Sequence, residues 1–467
     1  MAVTMTRQGS CSEAFRDDDN ILDRLVGLAK VIPPSIMKQA LIDSGRNLQR
    51  ACPLNHHAML WVVLAMGLLT HLPIRQVYKH ARRMREGEEK TPSRSNLCEA
   101  RQRLGVEPVR RVFDLVARPL ATPTTPGAFY QGLRLVGIDG TVLDAPDTDA
   151  NNERFDRSSG GRGDGAFPQV RKVSLVELGT HVEFALAFGG WQDSEQKLVA
   201  QLWDKIPDDA LLLEDRGFFS YNHWKTLDSR GVKLLVRMKC NLILEPIGER
   251  LPGHSYLAKI YPTPYDRDKD RHGIVVRVLE YTLDDPNRTG HQQTHRLVTN
   301  LFDEALFPAL ELICNYHERW EIELVFDEQK THLDPRRASK AAHFRSQTPE
   351  GVEQELYALS LGHFTVRALM FEAAKEANLD VDQLSFTGSL HILQARLPEC
   401  DSSTPASLEQ WYRALLAELA QERTEPRRNR VNPRVVKRKM SKFAKKRPEH
   451  RHQPPLLKTF AETVVVT

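Results

Sequence analysis

LVGIDGT, Leu135 to Thr141, is an apolar run that stops on an acid, Asp139, with a glycine directly behind it. LLLEDRGFF, Leu211 to Phe219, repeats the arrangement with Asp215. A short apolar run closed by turn residues reads as a buried strand, so each carboxylate stands where its strand emerges. In α/β sheets such strand ends are where sites form.

Outward from these two runs, Val170 to Glu177 and His181 to Phe188 read as a hairpin turned through Gly179. Asp193 to Trp203 and Tyr221 to Ser229 read as helices, and Val232 to Met238 as another strand. A meander of strands followed by strands alternating with helices predicts an α/β fold, an RNase H-like mixed sheet flanked by helices. Asp144, Asp147 and Asp149 crowd near Asp139 in the polar loop Ala145 to Phe167 and at its edge, but only Asp139 directly ends the apolar run. The others read as caps or hydrogen-bonding groups of the loop. Between Met238 and Asn300 the strands Ile274 to Leu283 and His295 to Leu301, broken up by prolines, predict a separate β-rich subdomain inserted at about 239–300. Beyond it, Thr348 to Ala374 reads as a long helix with an apolar face, and Ser407 to Ala420 as a further one.

The third notable stretch is Asn315 to Leu333, NYHERWEIELVFDEQKTHL. On one straight helix Tyr316, Arg319, Glu323 and Lys330 fall within an arc of about 60°, so one face carries a phenol, a guanidinium, a carboxylate and an ammonium. A solvated amphipathic helix with an ordinary Arg319–Glu323 pair has the same pattern. What favours a site is the pair of strand-end acids elsewhere, to which a helix carboxylate would add a third.

The order GIDGT, EDRGF and Y-x2-R-x3-E-x6-K resembles the DDE transposases of bacterial insertion sequences, specifically the insertion-sequence-four group with its tyrosine-arginine-glutamate-lysine signature. The likeness extends over most of the chain, and the third motif is its most specific part. It implies that Asp139, Asp215 and Glu323 are the catalytic acids and hold two divalent ions, Mg²⁺ with Mn²⁺ as an alternative. Carboxylate oxygens suit such hard cations, and a pair of ions can activate an attacking oxygen and neutralise a leaving one. It further implies that Tyr316, Arg319 and Lys330 grip the element end beside the metals, with Trp320 and Tyr281 as candidates for stacking a flipped base. The reaction implied is cut-and-paste transposition: water frees a 3′-OH at each end, with a hairpin as one route, and the 3′-OH joins target DNA. The partners implied are double-stranded DNA, as terminal inverted repeats and as target, and a second copy of the chain in a homodimer.

Composition agrees with a nucleic-acid partner. The net charge of +4 is small, but Arg75 to Arg118 holds twelve Lys or Arg against six acids, and Arg427 to Arg451 twelve against one. Residues 1–20 read as a disordered N-terminus, and residues 21–125, punctuated by Pro53, Pro73, Pro92 and Pro108, as an all-α domain. Within it TPSRSNLCEARQRLG, Thr91 to Gly105, reads as a helix with Asn96 and Glu99 at capping-box spacing. Arg94, Arg101 and Arg103 on it are candidate DNA contacts, and the resemblance assigns this domain to element ends. Residues 126–425 form the expected catalytic domain, and 426–467 a basic tail in which Lys437, Arg438 and Lys439 are candidate phosphate contacts. Six scattered cysteines without a C-x2-C pair argue against a zinc site or a disulfide framework and fit a reducing compartment. No apolar run is long enough to span a bilayer. The expected setting is the prokaryotic cytoplasm, in association with the nucleoid.

Three other readings use parts of the same pattern. A metal-dependent nuclease or resolvase shares the core but joins no strands. An inactive DNA-binding repressor keeps only end recognition, against which the three acids argue. A two-carboxylate glycosidase fits poorly with basic ends and 7% aromatic residues.

Overall fold

The computed structural model describes residues 24–47, 54–82, 91–160, 163–239, 242–286, 288, 290–333, 343–400, 404–424 and 458–467. The chain forms two compact units: Met1–Pro126, Asp139–Leu202 and Glu321–Arg423 make the first, and Gly127–Ile138, Trp203–Trp320 and Thr424–Thr467 the second. The strands are β1 (Phe129–Tyr130), β2 (Leu133–Asp144), β3 (Ser159–Gly160), β4 (Gly163–Asp164), β5 (Gln169–Glu177), β6 (Val182–Gly189), β7 (Ala210–Glu214), β8 (Lys233–Arg237), β9 (Tyr256–Ile260), β10 (Ile274–Leu283), β11 (His295–Thr299) and β12 (Val464–Val466). Through β2, whose residues up to Ile138 belong to the second unit and the rest to the first, the strand order is β6-β5-β2-β7-β8. β5 and β6 are antiparallel, whereas β2, β7 and β8 run parallel. This is the RNase H-like mixed sheet that the meander and the alternation predict.

In the first unit the N-terminal residues form the helices Pro34–Asp43, His56–Leu68, Ile74–Ala81, Arg94–Leu104 and Glu107–Val116, in keeping with the all-α region expected there. Asn55 caps His56–Leu68, whose residues from Ala58 onward are all buried, as an apolar surface on every side demands. It packs on Pro349–Glu376 at two glycines: a Cβ on Gly67 would sit 1.8 Å from the Ala358 carbonyl oxygen, and one on Gly362 would sit 2.7 Å from that of Gly67. Polar contacts reinforce this packing. Glu355, buried in Pro349–Glu376, takes the Arg101 guanidinium at 3.2 Å, the Arg345 guanidinium at 3.3 Å and the Arg345 main-chain N–H at 2.9 Å.

Several expectations change here. The helix at Arg94 is capped by Ser93, whose hydroxyl takes the Asn96 N–H, so Asn96 lies inside the first turn rather than at the cap. The stretch expected as a loop from Ala145 contains the helix Asp149–Phe155. Its sequence, DANNERF, is poor in helix formers. Tertiary contacts hold it: Thr148 caps it, and the buried Asn151 bonds to Pro146 and Ser346 carbonyls. Phe155 enters a core with Leu143, Val170, Phe344 and Leu356.

In the second unit the β-rich stretch does not fold apart as a separate subdomain. β11 pairs antiparallel with β8, and β10 with β11, so these strands extend the same sheet. The outer side of β10 is covered by β9 along Ile274–Val278 and by β12 along Tyr281–Leu283. The last residues of the expected tail therefore form structure, with Phe460 stacked on His317 at 3.8 Å. Lys437, Arg438 and Lys439 lie outside the described residues.

The single helix expected over Asn315–Leu333 is three pieces. Ala309–Glu318 ends in a tightened turn in which Arg319 N–H bonds to Tyr316 O and Trp320 N–H to His317 O. Glu321–Asp327 follows, then a π-turn, Glu328–His332, closed by Leu333 N–H on Glu328 O at 2.8 Å. The four signature residues therefore do not share one helix face. Tyr316 and Arg319 belong to the second unit, Glu323 and Lys330 to the first.

Candidate active site

Register aligns the parallel strands: β2 runs on through Asp139 to Asp144, so Asp139 lies within its strand rather than at its end, just past the point where pairing with β7 stops. Ile138 of β2 is paired with Glu214 of β7, and Glu214 with Val236 of β8. The residues that follow these three are Asp139, Asp215 and Arg237. Asp139 Oδ1 accepts the Gly140 N–H at 2.7 Å, which orients its carboxylate. A Cβ on Gly140 would meet Glu195 Oε1 at 2.7 Å, so a side chain there would have to displace that carboxylate. Asp215 closes a turn, its carbonyl accepting Phe218 N–H at 3.0 Å. Its Oδ1 is shielded from solvent with no hydrogen-bond partner among the described residues. A buried carboxylate oxygen left in that state is costly unless something completes it, and a hard divalent cation fits such a donor.

Glu214, one residue earlier and alternating to the other face, has Oε1 engaged, while its Oε2, like Asp215 Oδ1, is buried with no hydrogen-bond partner among the described residues. His223 Nδ1 accepts the Trp203 indole N–H at 3.1 Å, which leaves the ring hydrogen on Nε2 to donate to Glu214 Oε1 at 2.7 Å. The Glu214 main-chain oxygen takes the Tyr316 hydroxyl at 3.2 Å. Tyr316 is thus pinned to the end of β7. Burial pushes its phenol pKa up, and Arg319, Asp215, Arg237 and Tyr281 all lie close enough to act on it electrostatically. The Arg319 guanidinium stands 5.9 Å from the Tyr316 ring. The sequence reading missed Arg237, although KLLVR, an apolar run ending on a charge, is the signal used for the two acids. Of the aromatics considered for base stacking, Tyr281 is buried at 6% exposure against His295, and Trp320 is exposed at 37%.

In the first unit Glu323 is exposed and Lys330 half-buried. Glu321 turns inward: its carboxylate accepts the Gly179 N–H at 2.8 Å and lies 3.3 Å from His181. Burial alone would raise the Glu321 pKa, but His181 and Gly179 outweigh it and hold the group low. His181, Glu321 and Asp382 come within 4.8 Å of one another, a spacing compatible with a metal. Arg367, however, donates to His181 Nδ1 at 2.7 Å. The ring hydrogen is then on Nε2, the atom that faces both carboxylates, and a protonated nitrogen has no lone pair for a cation. In this arrangement the cluster is a neutral imidazole beside two carboxyl groups and offers a cation no imidazole lone pair.

Of the basic residues, Arg94 and Arg103 are exposed. Arg101 is directed inward, bonding Gln354 Oε1 at 2.7 Å and the Gly351 carbonyl at 2.5 Å besides Glu355. Among the described residues no helix is long and apolar enough to cross a membrane.

The fold and the acids in β2 and directly after β7 define a class. Residues 130–362 match the family described as the transposase DDE domain, and residues 22–114 match the insertion element 4 transposase N-terminal family. Transposase InsG for insertion sequence element IS4, from Escherichia coli (strain K12), is 31% identical over 432 residues, which is 91% of this chain and 95% of that protein. The putative transposase InsZ of the same organism is 26% identical over 206 residues, 44% of this chain and 67% of the relative. Among solved structures, the cryo-EM structure of a piggyBac transposase synaptic complex with hairpin DNA aligns at 12% identity with a TM-score of 0.41, covering 86% of this chain and 87% of that one. The chain belongs to the insertion element 4 family of DDE transposases, and its function is that of a DNA transposase.

Proposed function

We propose that the chain carries out cut-and-paste transposition, hydrolysing the phosphodiester at each element end and then transferring the freed 3′-OH to target DNA. Asp139, Asp215 and Glu323 are the catalytic acids in this reading, and their oxygens hold two divalent ions, Mg²⁺ or Mn²⁺. Bound there, such ions supply an activated oxygen nucleophile and neutralise charge on the leaving oxygen. The observation that carries the reading is the register of β2 and β7: the paired residues Ile138 and Glu214 are each followed at once by an acid, and one oxygen of Asp215 is buried without a hydrogen-bond partner among the described residues.

The other residues bind and orient DNA. Arg319, Arg237 and Lys330 neutralise and fix phosphate oxygens, the two arginines with planar forks able to engage two oxygens at once. Tyr316 acts by holding its helix to the end of β7. Trp320 is the exposed ring for stacking an unpaired base. Arg94 and Arg103, with Lys437, Arg438 and Lys439, contact the duplex backbone, while Arg101 supports the helix that presents the first two. Two ends must be processed together, which calls for a homodimer.

The test is cleavage and joining of end-containing DNA in Mg²⁺. Asp139→Ala, Asp215→Ala and Glu323→Ala are each expected to abolish cutting while end binding persists. A variant that cuts like the parent removes that acid from the set. Pre-cleaved ends offered with target DNA separate a transposase from a plain nuclease, since the latter leaves the target unjoined.

A further inference from the structure

The π-turn Glu328–His332, which begins five residues after Glu323 and contains Lys330, is held from beneath by two adjacent anchors. Glu328 and Gln329 follow one another in the chain and are both buried, at 8% and 1% exposure. Glu328 takes the Arg367 guanidinium through Nε at 3.0 Å and through Nη2, and lies 2.8 Å from His363 Nε2. Burial would raise its carboxyl, but Arg367 and His363 pull it down to about 2. Gln329 is gripped by a different pair. Its Oε1 accepts from Lys172 Nζ at 2.9 Å and its Nε2 donates to Glu183 Oε2 at 2.8 Å. Lys172 and Glu183 are 2.6 Å apart and fully buried, and Lys172 also donates to Ser360 at 3.1 Å.

Successive residues of an α-helix point about 100° apart, and here each of the two is met by its own set of partners. The widened turn accommodates both anchors, and π-turns of this kind are uncommon and concentrate at functional sites. Glu323 and Lys330 are seven residues apart, which in an α-helix is nearly two whole turns and would stack them. Placing Lys330 inside a widened turn that starts at Glu328 changes that angle. We propose that Glu328 and Gln329 are positioning residues for the reaction: tied to Arg367 and His363 and to the Lys172–Glu183 pair, they maintain the π-turn and so fix where the Lys330 ammonium stands relative to Glu323. This rests on the roles given above to Glu323 and Lys330.

Gln329→Met keeps the length and burial of the side chain and deletes both hydrogen bonds. Cleavage rate, end binding and melting temperature are measured on the full chain with this substitution alone, with Lys330→Ala alone, and with both. The single Gln329→Met variant is expected to cut roughly ten- to a hundredfold more slowly with end binding little changed, the scale of loss a displaced group brings. In the Lys330→Ala background it is expected to cost less than about twofold further, because the group it places is gone. An equal loss in both backgrounds overturns the positioning role while leaving Lys330 in the site. Lys330→Ala cutting like the parent removes Lys330 from the site and this inference with it. If Gln329→Met does not fold, Ser360→Ala, which withdraws one Lys172 partner, is expected to show a smaller loss with the same dependence on Lys330. A Ser360→Ala loss that persists undiminished without Lys330 counts against the inference.

Discussion

The hydroxyl of Tyr316 donates to the main-chain oxygen of Glu214 at 3.2 Å, fastening a helix to the last residue of the strand that delivers Asp215. Removing that hydroxyl isolates its contribution. Tyr316→Phe is expected to cost about 1 kcal/mol of stability, the net worth of one such bond, and to slow cleavage by more than binding. Parallel melting and cleavage measurements check it, and an unchanged rate would show that the fastening is dispensable.

The buried oxygen of Asp215, which has no hydrogen-bond partner among the described residues, gives a readout without DNA. Added Mg²⁺ or Mn²⁺ is expected to raise the melting temperature of the parent chain, by the equivalent of about 2.7 kcal/mol at a hundredfold excess over Kd. Asp215→Asn should be more stable than the parent without metal and gain little on addition. A variant that responds to metal as strongly as the parent places the ions elsewhere.

Gly67→Ala tests the contact between helices His56–Leu68 and Pro349–Glu376. The added carbon falls 1.8 Å from a main-chain oxygen, which no rotamer change relieves. The expected loss is about 1–3 kcal/mol or more, as for other overpacked cores. Urea unfolding measures it, and a neutral result would mean that the two backbones separate easily.

Arg101 and Arg103 share a helix and should behave oppositely. Arg101→Ala strips Glu355 of a partner in a buried cluster, a change that typically costs about 3–5 kcal/mol. Arg103→Ala should leave the melting temperature alone and lower the salt dependence of end binding by about one unit of log–log slope. Filter binding across a salt series, beside melting curves, distinguishes the two.

Acid stability follows from Glu355. Burial would raise its carboxyl, but Arg345 and Arg101, with Ser346, hold it down at about 2 against an ordinary 4.5. A group with a depressed folded value contributes in full above the ordinary value, and the contribution is lost as pH falls towards the folded one. The parent should therefore lose about 3 kcal/mol from this group between pH 4.5 and 2. Glu355→Gln should be less stable at neutral pH and show a shallower decline over that window. Equal slopes would assign the acid sensitivity to other carboxylates.

The strand ends were legible because a central parallel strand is apolar on both faces, so its first charge marks where it leaves the sheet. Asp215, just past β7, and Arg237, the last residue of β8, announce themselves in that way, whereas Asp139 marks only the end of the pairing with β7, since β2 runs on to Asp144. Asn315–Leu333 was not legible as three pieces. Its interruptions answer to partners far away in sequence, Glu321 to Gly179 and His181, and Gln329 to Lys172 and Glu183, and periodicity cannot register them. Asp149–Phe155 escaped for a related reason, since its helix is imposed by Thr148, Asn151 and Phe155 against a weak local preference. Arg101 reads like its basic neighbours in sequence, and only the position of Gln354 and Glu355 separates it from Arg94 and Arg103.

The short strand Val464–Val466 has a practical side. It occupies the amide and carbonyl groups of Tyr281–Leu283. Truncated before Val464, the chain would present those groups as a bare rim, the kind of surface that recruits a stranger's strand. Shortened versions made for crystallisation should clump as their concentration rises, whereas a charged residue in place of Val465, which already faces solvent, should leave the seal intact.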